Sequence, residues 1–381
     1  MLTKADEYPF HQIAGSFSRV HTSDKHWNDG HYVCLCDDSG EVCLISVVRL
    51  YQNNDVLDGF VSLRHKGKQY NFRASRRLRT DIDFFGVGPL RIELLDPMQT
   101  LRLVLEENDI GITCDLVCES TIEPYEDEVL ITRRDDILFG ERAVYELVGT
   151  CEGTVSVNGE EIKLTHDHST VFRNHSWGTM PGRGGPREHG APPKDPDPWS
   201  GLRNWVLFRM PEYAGFYQFQ ENKIGERLST HTAMLMPEGQ LDVLSISHDL
   251  KFYEGTSRIS GGSFTLVDEN KVERTYEIED LGWVYCHGGG YFGGFDDTLG
   301  QGAWRGEYHE EGEVWDASHP VKIVTEEGKE EILWHAWAES FVRLTCGDQV
   351  GYAHFECVTM GEYEPYGLIG EKATMKTRGS I

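Results

Sequence analysis

Short runs of β-branched, aromatic and cysteine residues, each cut off by a turn, recur from one end of this sequence to the other. In the first half they fall at 31–35, 42–51, 59–65, 101–105, 110–119 and 143–150. Polar turn clusters separate them: Asp37-Asp38-Ser39-Gly40, Asn53-Asn54-Asp55, His65-Lys66-Gly67-Lys68 and Glu106-Glu107-Asn108-Asp109. Asn158-Gly159 between two apolar stretches is the strongest short signal for a hairpin. No segment sustains apolar spacing at i, i+3, i+4 and i+7 over three turns, so helices can only decorate the fold. Many short strands joined by tight turns specify an antiparallel sandwich or barrel.

The pattern breaks once. Six of the 14 prolines lie between Gly178 and Gly201, together with several glycines, where neither a central strand nor a helix can continue. Strand runs then resume at 204–210, 214–220, 229–236, 241–250, 263–267, 274–278, 282–287, 303–309, 321–325, 331–344 and 351–359. A chain of 381 residues is long enough for two cores. The expected organisation is a β domain over 1–178, a linker or lid over 179–201, a second β domain over 202–370 and a tail over 371–381. Barrels are favoured over flat sandwiches because several strands carry large polar and aromatic residues on one face.

Charge narrows the partners. A net charge of −27 repels phosphate backbones and anionic lipid surfaces, so neither nucleic acid nor membrane insertion is expected. The best apolar run, Val42 to Val48, is short and meets Arg49 at once. Lys4, Asp6 and Glu7 interrupt the first ten positions, which therefore lack a secretory core, and the chain is read as cytoplasmic. The nine cysteines have no metal-knuckle spacing and read as reduced, small apolar residues.

Three strands carry the chemistry. Alternate residues of a strand share a face, which groups Arg173, His175 and Trp177 in one, Trp283, Tyr285 and His287 in a second, and His335, Trp337 and Glu339 in a third. Solvent-facing strands seldom carry Trp, and dry cores seldom carry Arg, His and Glu. A face with both suits an apolar cavity with a few placed polar groups, as in small-molecule sites. The alternative is a set of hydrogen-bonded side chains bracing the barrels. The faces of His175, Trp177, His335, Trp337 and Glu339 are expected to border one cavity, in which burial raises the pKa of Glu339 and makes it a proton donor.

Other motifs fail on context. Gly288-Gly289-Gly290-Tyr291-Phe292-Gly293 fits a dinucleotide fingerprint, but no helix opens after it. His287 and its glycines lack a nucleophile elbow elsewhere. His166, His168 and His175 lack a carboxylate at a metal-site spacing, with Phe172 and Arg173 standing there instead. Asp296-Asp297 and Glu279-Asp280 diverge on a strand and make a poor glycosidase pair. No catalytic metal and no nucleotide cofactor is expected.

Arg173-Asn174-His175-Ser176-Trp177-Gly178, just before a central linker in an acidic all-β chain, resembles the two-domain lipocalin-like (calycin-type) proteins that include carotenoid 1,2-hydratase and the AttH-like proteins. Fungal Diels–Alderases use a similar two-barrel build. That family pattern is closer to Arg-Asp-His-Ser-Trp-Gly followed by Arg-Asp; here Asn174 stands in the acid's place and Thr179-Met180 follow. The resemblance implies a cofactor-free enzyme for an isoprenoid, polyene or polycyclic substrate, adding or removing water or guiding a cyclisation. In that frame His175, His335 and Glu339 supply acid or base. Trp177, Trp283 and Trp337 wall a cationic intermediate, Tyr285 and His287 line the substrate, and Arg173 orients its polar end. The leading expectation is thus a lyase or isomerase (hydratase, dehydratase or cyclase), and homo-oligomers are compatible with it. Its rivals are a non-catalytic carrier of the same ligands and a carbohydrate-active β protein.

Overall fold

The structure, a computed structural model, describes residues 2–9, 14, 16, 19–79, 81–134, 137–180, 200–290, 299–333 and 338–369. His335, Trp337, residues 181–199 of the expected linker and the expected tail 371–381 lie outside the described residues, as do Tyr291 to Gly293 and Asp296-Asp297.

The chain is all-β, built from two large antiparallel sheets, one of them nearly barrel-shaped. Thirteen strands precede the linker: β1 (Trp27–Asp37), β2 (Val42–Tyr51), β3 (Val56–His65), β4 (Lys68–Arg77), β5 (Gly86–Val87), β6 (Leu90–Asp96), β7 (Thr100–Leu105), β8 (Ile112–Ser120), β9 (Tyr125–Glu126), β10 (Leu130–Arg134), β11 (Ile137–Val157), β12 (Glu160–Leu164) and β13 (Ser169–Thr179). After it come β14 (Gly201–Arg209), β15 (Ala214–Asn222), β16 (Arg227–Met236), β17 (Gly239–Leu241), β18 (Val243–Phe252), β19 (Ile259–Asp268), β20 (Glu273–Tyr285), β21 (Tyr308–His319), β22 (Lys322–Thr325), β23 (Glu330–Ile332), β24 (Ala338–Cys346) and β25 (Gln349–Met360).

The first sheet runs β23-β22-β21-β4-β3-β2-β1-β13-β11-β8-β7-β6-β5, with β9, β10 and β12 paired to β11. The second runs β17-β16-β15-β14-β25-β24-β20-β19-β18. Residues 308–332 therefore leave the second sheet's sequence range and extend the first sheet beyond β4. Strand β11 turns a corner: residues 141–149 pair with β13 and 149–157 with β8. Gly149 sits at the crossing, where an added Cβ would lie 1.8 Å from the Glu119 carbonyl oxygen. The hairpin into β12 turns on Asn158 and Gly159, both at positive φ (51° and 83°), as the Asn-Gly pair demands.

Three apolar layers follow from residue parity. Val33, Leu44, Val48, Leu57, Leu101 and Leu116 fill the curve of the first sheet. Val206, Phe208, Tyr217, Phe264, Val342 and Phe355 fill that of the second. Cys34, Ile45, Val47, Phe60 and Phe172 on one sheet meet Trp205, Leu207, Phe216, Val284 and Phe341 on the other. Every residue of β2 is buried, because one face lines the first barrel and the other lies between the sheets. That is why apolar residues occupy both faces of the strand, broken only by Ser46 and Arg49, instead of alternating with polar ones. Each such side chain contributes roughly 1.5–3 kcal/mol on leaving water. All nine cysteines are free thiols. Among the described residues no helix is long and apolar enough to cross a membrane.

In the second sheet, Glu221 of β15 is 5% exposed. Burial alone would raise its pKa, but hydrogen bonds with His248, Tyr363 and Arg227 prevail and hold it down to about 2. A depressed folded pKa stabilises above the unfolded value and is lost as pH falls through the folded one. Thermal unfolding between pH 5 and pH 2 should therefore show Glu221 contributing on the order of 2–3 kcal/mol that disappears with acid. Glu221→Gln should flatten that part of the profile; an unchanged acid limb would refute the assignment.

Candidate functional site

The layer between the sheets is apolar except for a small set of polar groups. On the first sheet, register places Tyr125, Glu146, Asn174 and Tyr32 in one row across β9, β11, β13 and β1. On the second sheet, Gln218, Trp205 and Glu356 form a row across β15, β14 and β25, and Phe216, Leu207, His354 and Phe341 form the next with β24.

His354 is 2% exposed and stands among four rings. Their centroids lie 5.0 Å away for Trp205, 5.8 Å for Tyr32, 6.0 Å for Phe341 and 6.4 Å for Phe172. Its Nε2 is 2.8 Å from Glu339 Oε2 and 3.5 Å from the Tyr32 hydroxyl. Burial works to raise the Glu339 pKa, but the charge and hydrogen bond of His354, the charge of Arg203 and the Cys286 thiol outweigh it, and the result is lowered. The expectation that Glu339 is a raised-pKa proton donor is thereby corrected. Beside an imidazole it is a carboxylate, and a carboxylate can only accept. Nε2 is then the donor in this contact. Nδ1 is buried and meets no hydrogen-bond partner among the described residues. An imidazole oriented by a carboxylate through one nitrogen, with the other free of partners, is an arrangement that suits a general base.

A second carboxyl, Glu146 on β11, stands in the same layer. It is 0% exposed and stands beside Asn174, its register partner on β13. Burial pushes its pKa well up, over the opposing pull of Arg142, Asn174 and Arg203. Two carboxyls in one layer are thus shifted in opposite directions, Glu146 upward and Glu339 downward. Divergent pKa values in neighbouring groups mark an acid and a base. Arg203 donates to Gln218 at 3.1 Å and pairs with Glu356, adding a cation near the acid. Asp127, raised chiefly by burial, faces His231 at 3.4 Å.

The residues expected from sequence are distributed over three places. Arg173, His175 and Trp177 point from β13 into the first barrel. There His175 Nε2 lies 2.7 Å from Asp29 Oδ1 and its ring stacks on His31 at 4.4 Å. Phe172, next to Arg173 in the strand, faces the inter-sheet layer, so parity alone separates His175 from Glu339. The expectation of one cavity shared by His175 and Glu339 is not met. Trp283 and Tyr285 share a face as expected and pack with Trp315 and Ala338. Glu339 is opposite Val284 in the β20–β24 pairing and takes the other face. Arg258 lies over both rings, 5.4 Å from that of Trp283 and 5.3 Å from that of Tyr285. His287 belongs to a short 3-10 turn, Cys286–Gly289, rather than to the strand. His166 meets Thr150 at 2.9 Å and His168 meets Asp38 at 3.1 Å, so the two diverge.

A family model described as a family of unknown function (DUF8625) matches residues 2–369. The chain belongs to this family. No curated protein matches the sequence. Among solved structures it is similar to kievitone hydratase from Nectria haematococca, at 12% identity over 87% of this chain and 88% of that one, with a TM-score of 0.41. It is also similar to CghA with Sch210972, at 7% identity over 87% of this chain and 88% of that one, with a TM-score of 0.48. Likenesses this distant say nothing about the chemistry of this family, for which its own side chains have to speak.

Glu146 and His354 were not singled out in the sequence, although a signal existed for each. Val144, Glu146 and Val148 share a strand face, so Glu146 is one acid between two valines. His354 sits between Ala353 and Phe355 in an apolar run and reads there as an ordinary buried histidine.

Proposed function

We propose that the protein is a cofactor-independent lyase or isomerase for a hydrophobic small molecule, bound between the two sheets, with His354 as general base and Glu146 as general acid. The observation that carries this reading is the meeting, in one aromatic layer, of a fully buried carboxyl, Glu146, whose pKa burial drives up, and an imidazole, His354, held by the Glu339 carboxylate at 2.8 Å. In a dehydration, His354 Nδ1 takes a proton from carbon as Glu146 gives one to the departing hydroxyl, which leaves as water. The new double bond takes the electron pair of the broken C–H bond, and solvent returns a proton to Glu146 and removes one from His354. Run backwards, the same steps add water; returning the proton to a different carbon gives an isomer. Glu339 is a positioning residue that fixes the imidazole tautomer, and Trp205, Phe172 and Phe341 face any developing cation.

Size follows from register. Glu146 and Tyr32 are two strand spacings apart, about 10 Å, and Tyr32 touches His354. A substrate spanning acid and base is therefore an extended or polycyclic skeleton rather than a two-carbon unit. The layer is packed, so the substrate enters by parting aromatic side chains. The carbohydrate-active reading fits less well, since Trp27, Trp205, Trp283 and Trp315 are buried rather than lining an open groove.

The test begins with solvent extraction of protein purified without detergent and mass spectrometry of the extract. The compound found is then incubated with the protein in D2O. Solvent deuterium should appear at carbon with the wild type and fail to appear with Glu146→Gln or His354→Ala. Retention of the compound with no deuterium entering any carbon position would make the protein a carrier instead.

A further inference from the structure

The first barrel encloses a second polar cluster, on the opposite side of the first sheet from the layer just described. Its centre is a carboxylate that comes from outside the barrel. Residues Lys4–Glu7 form a single 3-10 turn, held by the Thr3 amide donating to Asp6 at 2.7 Å, and deliver Glu7 to full burial. Glu7 Oε1 is 2.7 Å from Arg173 Nη1 and 3.6 Å from His31 Nδ1, while Oε2 accepts from the Met98 amide. The Tyr145 hydroxyl sits beside the same carboxylate, which with burial drives its pKa up.

Every group around Glu7 belongs to the barrel: Arg173 to β13, His31 to β1, Tyr145 to β11, and Met98 to the turn between β6 and β7. Two features set this apart from a simple brace. Met98 holds a φ of 65°, a left-handed conformation that a side-chain-bearing residue rarely adopts, and its amide is the one that meets the carboxylate. Strain of this kind persists where the surroundings impose it and gathers at ligand clamps. In addition, His31 is 3% exposed and its Nε2 has no hydrogen-bond partner among the described residues. An anion this deep requires a cation and several donors. The barrel supplies them independently of the segment that brings Glu7.

We propose that the first barrel contains a carboxylate-binding cradle, formed by Arg173, His31, Tyr145 and the Met98 amide, which Glu7 fills in cis and which accepts a free small carboxylate when Glu7 is withdrawn.

The experiment is rescue of Glu7→Ala by acetate. The variant should melt several degrees below wild type in chloride. Acetate at matched ionic strength should raise its Tm along a saturating curve and recover a large part of the loss. Wild type, with the cradle already filled, should not respond. The double variant Glu7→Ala, Arg173→Leu should lose the response, since the cation is gone. If Glu7→Ala does not fold in chloride, the folded fraction recovered on refolding in acetate replaces Tm as the readout. Acetate performing no better than chloride, or equally well in the double variant, overturns the proposal.

Discussion

Replacing Glu146 by Gln should lower proton transfer to the bound compound by about 10²–10⁴-fold, the usual contribution of a positioned general acid. Ligand retention should persist, because the amide keeps the size and shape of the protonated carboxyl. The variant should also be no less stable than wild type near neutral pH. Gln keeps the oxygen that faces Asn174 and removes only an ionisable group from a fully buried position.

The pH dependence has a definite sign. The folded pKa of Glu146 is raised by burial, so its contribution to stability is complete below the unfolded value, about 4.3, and is lost as pH rises through the folded one. Wild type and Glu146→Gln should therefore have stability curves that run together at acid pH and separate on the alkaline side, with the variant above. Urea titrations at three or four pH values measure this directly. A variant that is less stable than wild type at every pH would make Glu146 a structural brace and remove the acid from the proposed mechanism.

Fold class was legible because strand periodicity is local: each turn and each short run announces itself within a few residues. Pairing across long separations was not. Tyr308–His319 joins Lys68–Arg77 in the first sheet, and nothing in either segment names the other as its neighbour. The site shows the same limit one level up. Parity correctly joined Trp283 to Tyr285 and separated Phe172 from Arg173. It does not say which face of a strand meets a second sheet, so His175 and Glu339 were expected together although they lie on different sides of the first sheet. The role of Glu339 turned on His354, which β24–β25 pairing brings within 2.8 Å. Burial alone favours a neutral acid; one imidazole at hydrogen-bonding distance reverses the outcome. Sequence can suggest burial, but the sign of a pKa shift depends on the partner that tertiary structure supplies.

The second large effect concerns the joint between the two sheets. Arg73 on β4 is 1% exposed. It donates to Glu313 through Nη1 at 2.7 Å and Nη2 at 2.6 Å, to Glu311 through Nε at 3.0 Å, and to the Gly288 carbonyl at 2.8 Å. On the same face of β4, Gln69 both accepts from the Tyr285 amide at 2.8 Å and donates to its carbonyl at 2.9 Å. This seam ties β4 to the end of β20 and to β21, the segment that carries the second half of the chain onto the first sheet. Arg73→Leu would leave two carboxylates and a carbonyl facing an apolar side chain. Removing one member of a buried ion cluster costs about 3–5 kcal/mol, and the partial exposure of Glu311 and Glu313 places the expected loss toward the lower end. Tm should fall by roughly 4 °C. The more telling readout is cooperativity. If the seam couples the sheets, wild type should unfold in one calorimetric transition and Arg73→Leu in two, with protease cutting first between β20 and β21. A variant that loses stability yet keeps a single transition would show that the inter-sheet layer of Phe60, Phe172, Trp205 and Phe341 suffices for coupling, and that the seam only adds to it.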